Sequence, residues 1–372
     1  MEKFDYSIYK ETRIYLVLYD AYIKHQGMSK EVLFEKLYIN NSSYRRARDY
    51  EQNVGRQIVD QLSSHYGFVV PTKDLIDELE IFTNKVYKNM YYKIYTSYDE
   101  DLKYIEELLE KKSLFFPVLN LLKLLLIVNS QDHAFNVLNT YGTLFNDVKI
   151  YYTFLTEELK QIFEILSIFF EDTTVEDGDW EKDYDNPMTY QILASKCNLR
   201  KKYIESIFYA NEAKKILLND FNFKRLIYVN QTIMNSMLYV GNYSECYKLA
   251  VKQIASLESL NFTQFELESA NMFLAVSLLG LKEYHKVIQL LENIESFNLT
   301  FITCLLVSLY KTNKNEYQLF YKENILENDL SKNDKDYCNS LNSYLKINNK
   351  SILNTLSKYD LMGSVIKILK KI

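Results

Sequence analysis

Seven residues near the start of the chain combine small polar side chains with guanidinium groups. They are Asn40, Asn41, Ser42, Ser43, Arg45, Arg46 and Arg48. A guanidinium group can form two parallel hydrogen bonds with a phosphate or with the edge of a guanine base. Small polar residues at the start of a helix cap its N–H groups and let its backbone approach a surface closely. The cluster therefore predicts recognition of double-stranded DNA by charge and hydrogen bonding.

The apolar pattern around this cluster predicts three helices. The first covers residues 6–26 and ends at Gly27, because glycine is typical of helix C-termini. Ser29 can cap a short second helix that continues through Leu37. The polar residues of the cluster provide a turn and the cap of a third helix, which we predict to extend to about His65.

The arginines of this third helix cannot all point in one direction. Arg45 and Arg48 share a face, whereas Arg46 lies about 100° away around the helix axis. We therefore expect Arg45 and Arg46 to contact DNA, and Arg48 and Arg56 to form phosphate contacts or intramolecular ion pairs. The competing interpretation is that these arginines form the solvated face of one more helix of an array.

Residues 28–51, MSKEVLFEKLYINNSSYRRARDYE, resemble a helix-turn-helix motif. The apolar positions that hold the second helix, the turn and the third helix in that family are matched by Leu33, Leu37, Ile39 and Tyr44. Two positions depart from the family pattern: Phe34 replaces a small residue where the helices cross, and Tyr38 replaces the glycine of the turn. The resemblance implies that the third helix enters the major groove of an operator.

The rest of the chain is also predicted to be helical. It contains only 8 Gly and 3 Pro in 372 residues, which favours long helices joined by short polar turns over a strand-rich fold. Helical pairs are predicted from residue 71 to residue 170. The segment 171–187 then carries eight acidic residues and one Lys, and we predict a solvated loop there. Its spacing does not match a calcium-binding loop, so a metal site is disfavoured.

An internal repeat follows the acidic segment. Tyr203, Tyr243 and Tyr284 lie 40 and 41 residues apart, each in a predicted turn between two helices. Gly241 followed by Tyr243 resembles the turn of a tetratricopeptide repeat, and Gly280 with Tyr284 repeats that pattern with two inserted residues. A generic solenoid of helical hairpins is the alternative, since all such arrays stack in the same way.

Together these features resemble the RRNPP group, the peptide-sensing regulators of Gram-positive bacteria and their phages that include the arbitrium receptors. The resemblance implies a cytoplasmic homodimer that binds operator DNA and receives a short signalling peptide on its repeats. Amide side chains suit an extended peptide because each offers a donor and an acceptor. Alignment of the repeats on their turn tyrosines gives these candidate peptide-binding residues: Gln191, Gln231, Asn235, Asn271 and, with the register shifted by one, Asn230.

The predicted fold class is all-α, with an N-terminal helix-turn-helix followed by a tetratricopeptide-like α-solenoid of helical hairpins. We predict five regions along the chain. They are a DNA-binding domain at 1–67, the first part of the array at 71–170, the acidic loop at 171–187, the repeats at 188–351, and capping or dimerisation helices at 352–372.

Enzymatic activity is not expected from this sequence. The four histidines are scattered, no glycine-rich phosphate loop occurs, and we expect no cofactor and no metal. Four widely spaced cysteines are predicted to be reduced and buried. The N-terminus lacks a signal peptide and no segment is apolar enough to span a bilayer, so no membrane contact is expected. The alternative function is a helical-repeat adaptor for protein–protein interaction that does not bind DNA.

Overall fold

The computed structural model describes residues 3–50, 54–92, 98–130, 134–170, 186–259, 264–292, 298–327, 330–347, 349–359 and 363–371. Within these ranges the chain is helical throughout, as predicted, and contains no strand. A single parallel bridge joins Val69 to Ser113. The chain divides into two compact units, Met1–Asp183 and Tyr184–Ile372. Most of the predicted acidic loop, residues 171–185, lies outside the described residues.

The first unit contains nine described α-helices. They are α1 (Thr12–His25), α2 (Lys30–Lys36), α3 (Asn41–Asp49), α4 (Val54–Tyr66), α5 (Lys73–Tyr92), α6 (Tyr98–Glu110), α7 (Phe116–Ser130), α8 (Ala134–Ile150) and α9 (Glu157–Phe170). Two short 3₁₀ helices, Ser7–Lys10 and Tyr152–Phe154, precede α1 and α9.

Two boundaries near the N-terminus differ from the sequence-based expectation. The predicted first helix is split, because Glu11 is extended between the 3₁₀ turn and α1. The third helix does not continue to about His65. Tyr50 adopts an extended conformation after α3, and α4 packs as a separate helix against α1 and α3. This arrangement buries Ile58, Val59 and Leu62, the apolar face of α4.

The N-terminal segment contacts α5 and the residue that precedes α7. The backbone N–H of Phe4 donates to Asn84 Oδ1 at 3.1 Å, and the Tyr6 hydroxyl lies 2.7 Å from Thr83 Oγ1. The buried ring of Tyr9 packs against Phe115 at a centroid distance of 4.7 Å. These long-range contacts connect the start of the chain to the core around α5 and α7.

The second unit contains eleven described α-helices. They are α10 (Pro187–Leu199), α11 (Tyr203–Asn219), α12 (Phe223–Val240), α13 (Tyr243–Ser259), α14 (Gln264–Gly280), α15 (Tyr284–Leu291), α16 (Leu299–Thr312), α17 (Lys314–Tyr321), α18 (Lys332–Ile347), α19 (Lys350–Leu356) and α20 (Gly363–Leu369). A π-helical turn, Lys322–Leu326, continues α17. In the described ranges no helix is long and apolar enough to cross a membrane.

The helices of the second unit form hairpins whose turns repeat. Each of the three turn tyrosines, Tyr203, Tyr243 and Tyr284, is the first residue of the second helix of its hairpin. Two residues earlier the backbone is left-handed in every case, with φ of 61°, 84° and 62° at Lys201, Gly241 and Lys282. Such a residue ends a helix by turning its next N–H groups back onto the last carbonyls.

The alignment of Gly280 with the turn glycine Gly241 was wrong. Gly280 is the last residue of α14, and the left-handed position of that hairpin is occupied by Lys282. A Cβ on Gly280 would lie 2.6 Å from two ring carbons of Tyr243. Glycine is therefore required at this position because α13 and α14 approach closely, not because of backbone conformation.

Candidate functional site

The inner face of α3 is held by Tyr44, the residue matched to the apolar anchor of the helix-turn-helix family. Tyr44 and Ala47 are the buried residues of α3. The Tyr44 ring lies 4.7 Å from the ring of Phe34 on α2, and its hydroxyl lies 2.8 Å from the carbonyl oxygen of Leu16 on α1. Phe34, where a smaller residue was expected, is thus accommodated by packing against the anchor, with the two ring planes tilted by 48°.

A single carboxylate, that of Asp20, connects the first three helices. Its Oδ1 accepts hydrogen bonds from Lys30 Nζ on α2 and from the Tyr44 hydroxyl on α3, both at 2.5 Å. Its Oδ2 accepts from Arg48 Nη1 at 2.8 Å. Partial burial opposes the ionisation of Asp20, but these donors outweigh it, and the pKa lies below its ordinary value of 3.8. The carboxylate is therefore charged at neutral pH and fixes α2 and α3 to α1.

The outward face of α3 carries the two arginines assigned to DNA. Arg45 and Arg46 are exposed, together with Asn41 and Ser42 at the start of the helix. Within the described parts of the chain, neither Arg45 nor Arg46 has an ion-pair partner. Two guanidinium groups thus remain available to an external anion on a helix whose other side is fixed.

The remaining predicted DNA-contact residues are placed differently. Asn40 is the N-terminal cap of α3, since its Oδ1 accepts from the N–H groups of Ser42 and Ser43 at 2.9 and 3.1 Å. Arg48 is engaged by Asp20 and, through Nε, by Asp49 at 2.8 Å. Arg48 therefore follows the intramolecular alternative given in the sequence analysis.

The turn between α2 and α3 is tight and left-handed. Tyr38 has a φ of 55° and its side chain is 95% exposed. The next N–H group, of Ile39, donates to the carbonyl oxygen of Phe34 at 2.8 Å. Tyr38 thus takes the conformation that a glycine would supply at this position, which explains how the chain turns without one.

The five candidate peptide-binding amides lie on α10, α12 and α14, and three of them bridge these helices. Arg225 Nη1 donates to Gln191 Oε1 at 2.5 Å. Gln231 Nε2 donates to Ser269 Oγ at 3.1 Å. Asn235 Nδ2 donates to Asn198 Oδ1 at 3.3 Å. The other polar atom of each side-chain amide, Gln191 Nε2, Gln231 Oε1 and Asn235 Oδ1, takes no part in the bond named here.

Asn230 and Asn271 are the other two candidates, and both are half-buried. The Oδ1 atom of Asn230 is buried and has no hydrogen-bond partner among the described residues. An unsatisfied buried acceptor is unfavourable by about 1–3 kcal/mol. A ligand N–H group could remove that penalty only after the Asn230 side chain rotates out of its buried position.

No family model matches the chain, and no curated protein or solved structure matches it either. The helix-turn-helix and tetratricopeptide resemblances therefore stay predictions. Among the described residues no group of histidine, cysteine and acidic side chains is arranged to hold a metal ion. The four cysteines, Cys197, Cys246, Cys304 and Cys338, are unpaired and buried, as predicted.

Sequence reasoning missed two residues that organise these surfaces. Asp20 was not singled out, although it is the one acidic residue within the apolar pattern of α1. Arg225, which is only 2% exposed, was likewise not identified as the partner of Gln191. Asp20 and Arg225 bind side chains that are 10 or more residues away in sequence. The spacing of neighbouring residues therefore gives little indication of these contacts.

Proposed function

We propose that this protein is a cytoplasmic transcriptional regulator that binds operator DNA with α3 and responds to a short signalling peptide. One observation carries the DNA-binding half: Arg45 and Arg46 are exposed and unpaired within the described structure, on a helix whose opposite side is fixed by Tyr44. A helix anchored on one side and cationic on the other fits the major groove, where arginine reads guanine.

Selection from a randomised duplex DNA library on the full-length protein tests this half. We expect enriched sequences that bind in a salt-sensitive way, measured by fluorescence anisotropy. The double variant Arg45→Ala/Arg46→Ala should bind them about tenfold or more weakly, because each specific arginine contact contributes about 1–3 kcal/mol.

A matched control separates contact from net charge. Lys88→Ala/Lys111→Ala removes the same two charges from exposed positions of the first unit. It should bind the selected DNA like the unmodified protein. Equal losses in both variants, or no enrichment at all, would instead support the adaptor function.

The peptide-binding half is supported by the amides of α10, α12 and α14. They form a polar surface across helices that pack side by side, since α12 contacts both α10 and α14. An extended peptide has an unpaired N–H and C=O at each residue, and side-chain amides satisfy both. The Oδ1 atom of Asn230 is buried without a partner, so a peptide N–H would reach it only if the Asn230 side chain turned toward the surface.

Affinity selection from a synthetic hexapeptide library tests peptide binding. We expect Asn230→Ala and Asn271→Ala each to weaken the selected peptides about fivefold, the loss of one hydrogen bond. Asn219→Ala, at the exposed end of α11, is the control and should leave the affinity unchanged. A peptide that binds all variants equally does not use this surface.

The regulator is proposed to act as a homodimer. Two copies of α3 related by twofold symmetry would contact half-sites about 34–36 Å apart on one face of the duplex. Sedimentation of the protein with selected DNA should show two chains per duplex. One chain per duplex, with a non-palindromic selected site, would contradict the dimer.

A further inference from the structure

A cavity of about 1030 Å³ opens in the first unit beside the Asp20 carboxylate. It lies between α1, the start of α2, Arg48 of α3 and the end of α8, where Ile150 and, in the 3₁₀ helix that follows, Thr153 line it. Small-molecule sites have volumes of roughly 300–1,000 Å³, so this space is large enough for a metabolite. Neither DNA nor peptide recognition, as proposed above, makes use of it.

Cationic side chains dominate the polar lining of the cavity. Lys24, Lys30 and Arg48 contribute to it, together with the imidazole of His25, against the single carboxylate of Asp20. Asp20 already binds Lys30 and Arg48. Lys24 and His25 are exposed and have no ion-pair partner in the described ranges. The uncompensated positive charge therefore lies at Lys24, and the neighbouring imidazole of His25 offers a ring nitrogen for a hydrogen bond to an anion.

The remaining wall of the cavity is apolar. Val17, Ala21, Met28 and Ile150 line it. A ligand that fills the space therefore needs an anionic head and an apolar portion, because apolar surface removed from water contributes roughly 25 cal/mol per Å².

We propose that this cavity binds a small organic phosphate monoester. A phosphate is favoured over a carboxylate because its three acceptor oxygens carry nearly two charges at neutral pH and can accept from several cationic groups at once. The two donors without an intramolecular partner in the described ranges, Lys24 and His25, both lie at the end of α1, while Lys30 of α2 and Arg48 of α3 are already bound to Asp20. The proposal does not depend on DNA binding and is tested without DNA.

Hexyl phosphate, inorganic phosphate and hexanol are the probes, each titrated into the isotopically labelled full-length protein at constant ionic strength. Amide resonances of Lys24, His25 and Met28 report on the cavity. We expect saturable shifts with hexyl phosphate, weaker binding of inorganic phosphate, and no saturation with hexanol. Saturation by hexanol with the same affinity as hexyl phosphate would show an apolar crevice and overturn the proposal.

The variant Lys24→Gln/His25→Gln should weaken hexyl phosphate about tenfold, because the charge-assisted contact of Lys24 and the imidazole hydrogen bond of His25 are removed. Both residues are exposed, so folding should be unaffected. The matched control Lys36→Gln/His65→Gln removes one Lys and one His from exposed positions that do not line the cavity. Equal affinity in the first variant and the unmodified protein would overturn the proposal, as would equal losses in the two variants. Should the double variant unfold, Lys24→Gln alone must still weaken binding severalfold.

Discussion

Tyr38 adopts a backbone conformation that disfavours any side chain. Its φ of 55° places a Cβ close to the backbone carbonyl, which costs roughly 1 kcal/mol. Because the side chain is 95% exposed, its removal sacrifices almost no buried surface. We therefore expect Tyr38→Gly to stabilise the α2–α3 turn by about 0.5–1 kcal/mol.

Hydrogen exchange of α2 and α3, followed by mass spectrometry, measures this change locally. Tyr38→Ala is the control, since it removes the same ring but keeps a Cβ at positive φ. Slower exchange in the glycine variant than in the alanine variant supports the strain argument. Identical exchange in the two variants would show that the turn is not strained.

Asp20 contributes stability that depends on pH. Since its pKa is lower in the folded protein than its ordinary value of 3.8, the contribution is complete above about pH 5 and is lost as pH falls through the folded pKa. Asp20→Asn removes the charge but not the shape. At pH 7 we expect a loss of about 1–2 kcal/mol, because Lys30 and Arg48 are left without their shared carboxylate.

Hydrogen exchange at pH 7 and pH 3 gives the free energy of opening of α1. It tests whether the stability contributed by Asp20 falls as the pH is lowered. The difference between Asp20→Asn and the unmodified protein should shrink at pH 3, because this pH lies below the ordinary pKa of 3.8 and the unfolded chain is then mostly protonated at this position. A difference of equal size at both values would mean that the charge of Asp20 is unimportant.

Among the elements, α13 and α14 meet where Tyr243 lies over Gly280. A Cβ at Gly280 would stand 2.6 Å from the ring, a distance that cannot be kept. Gly280→Ala is therefore expected to destabilise the second unit by about 1–3 kcal/mol through overpacking. Chemical denaturation of the full chain, followed by circular dichroism, measures the loss.

A double-mutant cycle tests the cause. Tyr243→Leu removes the ring, so Gly280→Ala should be almost neutral in that background, with a coupling energy of at least about 1 kcal/mol. Additive effects would show that Gly280 is needed for a reason other than the neighbouring ring, such as its backbone.

The same elements show how far sequence reasoning reaches. The 40- and 41-residue spacing of Tyr203, Tyr243 and Tyr284 predicted where the second helices begin, because helix ends are set by local capping. Local patterns failed where packing between distant segments decides. Gly280 was misassigned because its need for a missing Cβ arises from a ring 37 residues earlier.

The candidate functional surfaces show the same contrast between local sequence patterns, which could be predicted, and packing of distant segments, which could not. Exposure of Arg45 and Arg46 followed from helix periodicity once Tyr44 was taken as the buried anchor. The participation of Asp20 could not be predicted, since it depends on how α1 crosses α2 and α3. The end of α3 at Asp49 was missed because the helical pattern of α4 follows closely and can be read as continuous with it.

For the whole molecule, charge limits the way in which DNA can be bound. The net charge is −5, and residues 1–66 carry ten Lys or Arg against nine Asp or Glu. A general electrostatic attraction to DNA is therefore absent, and affinity must come from a few local contacts. We expect a shallow dependence of affinity on salt compared with strongly basic DNA-binding proteins.

The slope of log affinity against log salt concentration, from anisotropy between 50 and 200 mM salt, measures the number of phosphates neutralised, at about 0.9 per phosphate. If Arg45 and Arg46 both contact phosphates, their replacement by alanine should reduce the slope by about two for each bound chain. If they read base edges, affinity should fall for the selected sequence while the slope changes little. An unchanged slope with unchanged affinity would place the DNA contacts on another surface, and α3 would then lose its assigned part in the proposed function.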